Sequence, residues 1–116
     1  MLEITNGVIK FTKGDSVAFA VELKNADGTE YTMQTGDKLK FTIKKSVYDT
    51  SSDTQAFSNE PKFTLKPIIT GKFEPGRYCY DIELETANGE IYTIVGIRRE
   101  SECNLVVYPE VTVANE

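Results

Sequence analysis

The stretch Gly76-Arg77-Tyr78-Cys79-Tyr80-Asp81-Ile82-Glu83-Leu84-Glu85, followed by Asn88-Gly89 and by Ile91-Tyr92-Thr93-Ile94, decides how this chain is read. Tyr78, Tyr80, Ile82 and Leu84 recur with the period of two that a half-buried strand requires, while Arg77, Asp81, Glu83 and Glu85 take the other face. The same alternation points Cys79 away from the core. Asn-Gly tolerates the positive φ angles of a tight hairpin turn, so the run Ile91 to Ile97 is expected to return beside the first strand. Burial of the aliphatic pair contributes ~1.5 to 3 kcal/mol per side chain and the tyrosines add more area, which makes this strand the largest expected contributor to the core.

Glu74-Pro75-Gly76 turns the chain into that strand. Before it, Lys62-Phe63-Thr64-Leu65-Lys66 reads as a strand that Pro67 interrupts, hence an edge strand or a kinked one. From Tyr48 to Pro61 periodicity is lost and polar, turn-prone residues dominate, so a long mobile loop is expected there. Long loops often carry contacts, which makes Tyr48 and Phe57 the candidate partner-contact residues. Further back, Leu39, Phe41 and Ile43 are expected to face inward and Lys38, Lys40, Thr42 and Lys44 to face water. Ser16 to Lys24 alternates in the same way, with Val17, Phe19, Val21 and Leu23 on one face, and Asn25-Ala26-Asp27-Gly28 reverses the chain into Glu30-Tyr31-Thr32-Met33. Leu2 to Thr5 and Val8 to Phe11 flank Asn6-Gly7 as a short opening hairpin. The loose similarity of residues 12–19 to residues 35–41 is Gly-Asp turn chemistry used twice rather than an internal repeat. After the charged turn 98–102, Leu105 to Tyr108 and Val111 to Val113 complete the pattern, and no helical periodicity is seen.

Short strands, glycine-bearing turns and an interior of Ile, Val, Tyr and Phe imply an all-β chain. The expected architecture is one domain over residues 1–116, an antiparallel immunoglobulin-like β-sandwich of about seven to nine short strands. Its charge is uneven: residues 1–73 hold ten lysines and nine acids, whereas residues 74–116 hold three arginines and nine acids. In an immunoglobulin-like order the strand at 38–45 neighbours the strand at 76–85. The lysine stripe then meets Asp81, Glu83 and Glu85, and the asymmetry is absorbed inside the sheet.

The chain has no histidine, which removes the commonest general base and the commonest metal ligand together. Ser-His-Asp and Cys-His sites are therefore excluded. Cys79 and Cys103 lack CxxC spacing and are expected to be reduced thiols, and Gly71-Lys72 lacks the upstream glycine of a phosphate loop. Asp81 and Glu83 share a strand face, but a glycosidase acid needs an apolar pocket and their alternation predicts a salt-bridged surface. Asp15, Asp27 and Asp37 lack the dense spacing of a calcium loop and are read as turn residues. A net charge of −5 argues against nucleic acid, and the short apolar runs argue against a membrane span. The first residues carry no basic, apolar leader, so synthesis and folding in the cytoplasm are expected. Tyr78 and Tyr80 fit the tyrosine corner of Greek-key sandwiches, a structural role; aromatic ligand platforms stay open, but Tyr31, Tyr48, Tyr92 and Tyr108 are too far apart in sequence for a site to be read from it.

Ile9 to Ser16 (IKFTKGDS), Phe41 to Lys45 (FTIKK), Leu65-Lys66-Pro67, Gly76 to Leu84, Asn88-Gly89, Thr93 and Glu110-Val111-Thr112 follow one another across nearly the whole chain. In this order they resemble the N-terminal immunoglobulin-like domain of the phage baseplate upper protein family, found in phages and prophages of Gram-positive bacteria. Members often carry Asp-Thr after the Leu-x-Pro, where this chain has Ile68-Ile69-Thr70. The resemblance implies a non-enzymatic structural or adaptor component of a phage or prophage tail or baseplate, virion-associated and without a cofactor. Its partners would be other phage structural proteins or a second copy of itself. The alternative is a carbohydrate-binding or adhesion β-sandwich, against which the absence of tryptophan counts.

Overall fold

Nine strands and one helical turn make up the computed structural model, which describes residues 3–5, 7–45, 54–95 and 103–111. The strands are β1 (Glu3–Thr5), β2 (Val8–Thr12), β3 (Val17–Ala20), β4 (Lys38–Lys44), β5 (Thr54–Ser58), β6 (Lys62–Leu65), β7 (Gly76–Glu85), β8 (Ile91–Val95) and β9 (Leu105–Tyr108). The helical turn α1 (Pro67–Thr70) lies between β6 and β7. Proline at its start suits a helix N-terminus, where the missing N–H costs nothing.

Seven strands form one sheet in the order β1-β2-β9-β7-β4-β5, with β8 also paired to β7, and β3 and β6 form a separate ribbon. The described residues are thus all-β apart from one helical turn. The opening hairpin forms as expected, with Thr5 opposite Val8. The sheet is not wholly antiparallel: β2 runs parallel to β9, from Ile9 beside Leu105 to Thr12 beside Tyr108. No hairpin links these two strands, so nothing in the local chain forces them to be antiparallel.

β7 is the axis of the sheet. Along one edge it pairs with β4 from Lys38 opposite Glu85 to Lys44 opposite Cys79. On its other edge it pairs with β9 at Gly76 to Tyr78 and with β8 at Ile82 to Glu85. Asn104 fills the gap between those two partners. Its buried carboxamide accepts the Tyr80 N–H at 2.8 Å and donates to the Tyr80 carbonyl at 2.9 Å, reproducing with a side chain what a strand backbone would supply.

The ribbon covers the sheet through aromatic contacts. Phe41 of β4 meets Phe19 of β3 at 5.5 Å, Phe63 of β6 at 5.4 Å and Tyr80 of β7 at 5.3 Å between ring centroids. Around this cluster, Ile9, Phe11, Leu39, Ile43, Ile82, Leu84, Leu105 and Val107 are buried from the sheet and Val17 and Leu65 from the ribbon. The alternations read from β4 and β7 therefore do define the core.

Two turns confirm the shared Gly-Asp chemistry. The Asp15 N–H reaches the Thr12 carbonyl and the Asp37 N–H reaches the Gln34 carbonyl, each at 3.0 Å, with Gly14 and Gly36 at positive φ in the same turn position. The Tyr78 hydroxyl donates to the Glu74 carbonyl at 2.8 Å, the tyrosine-corner contact, while Tyr80 reaches the Gly7 carbonyl at 2.5 Å.

Several expectations are corrected. Residues 54–58, assigned from sequence to a loop, are the edge strand β5, paired with β4 from Thr54 opposite Ile43 to Ser58 opposite Leu39. An edge strand with only Ala56 packed against the core shows no hydrophobic alternation. Of the expected strand at 16–24, only Val17–Ala20 pairs with β6 along a ladder. Beyond it, the Val21 N–H still reaches Pro61, and then Leu23 accepts from Tyr31 instead, so the chain changes partners while Val21 and Leu23 stay buried. Cys79 does lie outside the main cluster, but at 6% exposure it is buried, with its thiol on the Lys44 carbonyl at 3.4 Å. Thr42, expected to face water, is also buried, on a central strand between Gln55 of β5 and Asp81 of β7. The β7–β8 turn spans three residues, closed by Thr86 N–H to Glu90 carbonyl and Gly89 N–H to Thr86 carbonyl. The expected turn at 98–102 and the strand residues Thr112 and Val113 lie outside the described residues.

Candidate interaction surfaces

The outer face of β5-β4-β7-β8 carries the charges. Lys38 meets Glu85 at 3.4 Å and Lys40 meets Glu83 at 3.6 Å, the cross-strand ladder expected from the sequence. Both pairs are partly exposed, so each contributes only about 0–1 kcal/mol to stability. Asp81 faces Thr42 rather than a lysine. Burial pushes its carboxyl above the usual range and Glu83 adds to that, while Lys40 and Lys44 oppose the shift.

Of the two expected contact residues, Tyr48 lies outside the described residues. Phe57 is on β5, opposite Lys40, and 58% exposed. The Lys38 ammonium lies 5.7 Å from its ring centroid. With exposed Ile91 on β8 it flanks the ladder of opposite charges, so this face presents apolar margins around a neutralised centre.

A groove of about 660 Å³ opens at one end of the molecule, between residues 23–37 and the β7–β8 hairpin. Leu23 and Leu84 form its buried floor, with Tyr31, Tyr92 and Ile94 around it. Asp37 holds the two walls together. Its buried carboxylate accepts the Tyr31 hydroxyl, the Gln34 N–H at 2.9 Å and, across the groove, the Ala87 N–H at 3.3 Å. The Tyr31 hydrogen bond, followed by that of Gln34, keeps the Asp37 carboxyl below its ordinary range. The same bond raises Tyr31 above the ordinary phenol range. Tyr92 is half-exposed, its hydroxyl donating to Glu90 at 2.5 Å, and that bond raises its ionisation in turn.

The fold thus brings together Tyr31 and Tyr92, which are sixty-one positions apart in sequence. The hairpin register alone puts Tyr92 opposite Leu84 and so on the core face. Nothing short-range joins it to Tyr31. The turn roles of two acids are as expected: Asp27 accepts the Thr29 N–H and hydroxyl, which lowers its carboxyl, and Asp37 accepts Gln34. Cys79 and Cys103 do not form a disulfide. Among the described residues no helix is long and apolar enough to cross a membrane.

Comparison of the chain with known protein families, with curated proteins and with solved structures finds no match. Its surfaces have to be read from their own geometry.

Proposed function

We propose that the chain is an immunoglobulin-like β-sandwich that serves as a non-enzymatic structural or adaptor component of a phage or prophage tail or baseplate, acting by protein–protein contact. One observation carries the fold part of this reading, the strand order. β2-β9-β7-β4-β5 faces β3-β6, with β2 beside the last strand β9 and the tyrosine-corner bond at the start of β7. In immunoglobulin terms β3 and β6 correspond to B and E, β4 and β7 to C and F, and β8 with β9 to a divided G. The tail or baseplate part rests on the ordered motifs of the sequence. The motifs at 41–45 and 76–84 fall on the β4–β7 pair and the one at 9–16 begins on β2, all in one sheet.

The contact surface of this reading is the outer face of β5 and its edge, which pairs with no other strand among the described residues, with Phe57 as its apolar anchor. Mass spectrometry of purified particles should find the chain in intact tails, and its absence there would refute the assembly reading. Phe57→Ser should leave the fold intact while reducing incorporation into particles; unchanged incorporation would remove Phe57 from the contact.

A further inference from the structure

We propose that the groove between residues 23–37 and the β7–β8 hairpin is a binding site for a neutral saccharide, with one sugar ring stacked on Tyr92. The site does not depend on the assembly reading, since it lies apart from Phe57 and the β5 edge.

Three features of the groove point to this ligand class. Its walls are fixed before anything binds, because Asp37 joins Tyr31 and Gln34 on one side to Ala87 on the other. A preformed cleft loses little conformational freedom on binding, and about 660 Å³ falls within the ~300–1,000 Å³ of small-molecule sites. Next, the floor is aliphatic and Tyr92 leaves half of its surface to water, although its hydroxyl is anchored on Glu90. An anchored, exposed ring suits the C–H face of a pyranose, which is apolar while its rim is rich in hydroxyls.

The polar lining matches that rim. Glu90 offers acceptor oxygens and Asn88 both a donor and acceptors. Charge argues against an anionic ligand: among the described residues Lys24 is the one basic residue lining the groove, and it is ion-paired with Glu22 at 3.2 Å. The Asp37 carboxylate is tied to three donors of the groove's own walls, so the acid left to meet a ligand is Glu90, which already holds the Tyr92 hydroxyl.

The test is a titration of the ¹⁵N-labelled full chain with maltotriose, chitotriose and a neutral fucosylated trisaccharide, followed by a neutral-glycan array. Binding in the millimolar range or tighter should move the amides of Tyr31, Ala87, Asn88 and Tyr92. Tyr92→Ala should weaken it about tenfold, the loss of one ring stack, with an unchanged circular dichroism spectrum. Tyr31→Phe, which releases one donor from Asp37, should weaken it less. No binding across probes and array, amide shifts confined to another surface, a Tyr92→Ala variant with full affinity, or saturation of the groove by choline instead would each overturn the proposal.

Discussion

Asn104 offers the sharpest test of how the sheet is held together. The N–H and carbonyl of Tyr80 point toward the edge of β7 that β9 leaves and β8 has not yet reached, and both are satisfied by one buried carboxamide. Asn104→Ala strands a donor and an acceptor at once. An unsatisfied buried group costs about 1–3 kcal/mol, so the variant should lose about 2–4 kcal/mol of a total that for a domain of this size is about 5–15 kcal/mol. Urea unfolding followed by circular dichroism should show the midpoint falling by about 1–2 M with little change in slope. Asn104→Asp separates hydrogen bonding from packing. One oxygen can still accept the Tyr80 N–H, but the other now faces the Tyr80 carbonyl unless it carries a proton. The folded-state pKa of the new carboxyl is thus raised above about 3.9, its value in the unfolded chain. A raised group favours folding below the unfolded pKa and loses that contribution as pH rises through the folded pKa. The deficit relative to wild type should therefore be smallest at acid pH and largest at neutral pH. A loss below about 1 kcal/mol for the alanine variant, or a deficit for the aspartate variant that does not vary with pH, would refute the reasoning.

Three further outcomes follow from the same geometry. Phe41→Ala removes the ring that joins Phe19, Phe63 and Tyr80, and should cost about 3–5 kcal/mol in chemical denaturation, whereas exposed Phe57→Ala should stay within about 0.5 kcal/mol of wild type. Gly36→Ala adds a Cβ 2.7 Å from that of Ala87 at a φ of +93°, and should cost about 1–3 kcal/mol; Gly28→Ala, at +89° with open space around it, should cost less, and equal costs would deny the contact with Ala87. Burial pushes the Tyr80 phenol from its ordinary 10.0 up to about 12, so its contribution to stability is intact below pH 10 and lost as pH rises toward 12. Alkaline unfolding of Tyr80→Phe should accordingly show a shallower fall of stability over that interval than wild type.

The sequence by itself determined the elements whose side chains alternate cleanly between water and core. Leu39-Phe41-Ile43 and Tyr78-Tyr80-Ile82-Leu84 are period-two patterns that allow one inward face, and the charges between them are of opposite sign, so the β4–β7 pairing and its ladder were legible before any coordinates. The Gly-Asp turns were legible for the same local reason. β5 was not, because an edge strand with one exposed and one half-covered face needs no hydrophobic alternation to form. The burial of Cys79 and Thr42 was hidden too, since it comes from neighbouring strands rather than from their own pattern.

Only the tertiary structure decided the rest. The parallel pairing of β2 with β9, the carboxamide of Asn104 standing in for a strand, and the groove between Tyr31 and Tyr92 each join residues far apart in the chain. Such contacts leave no periodic trace in sequence, because periodicity reports which way a side chain faces and not what it will meet there.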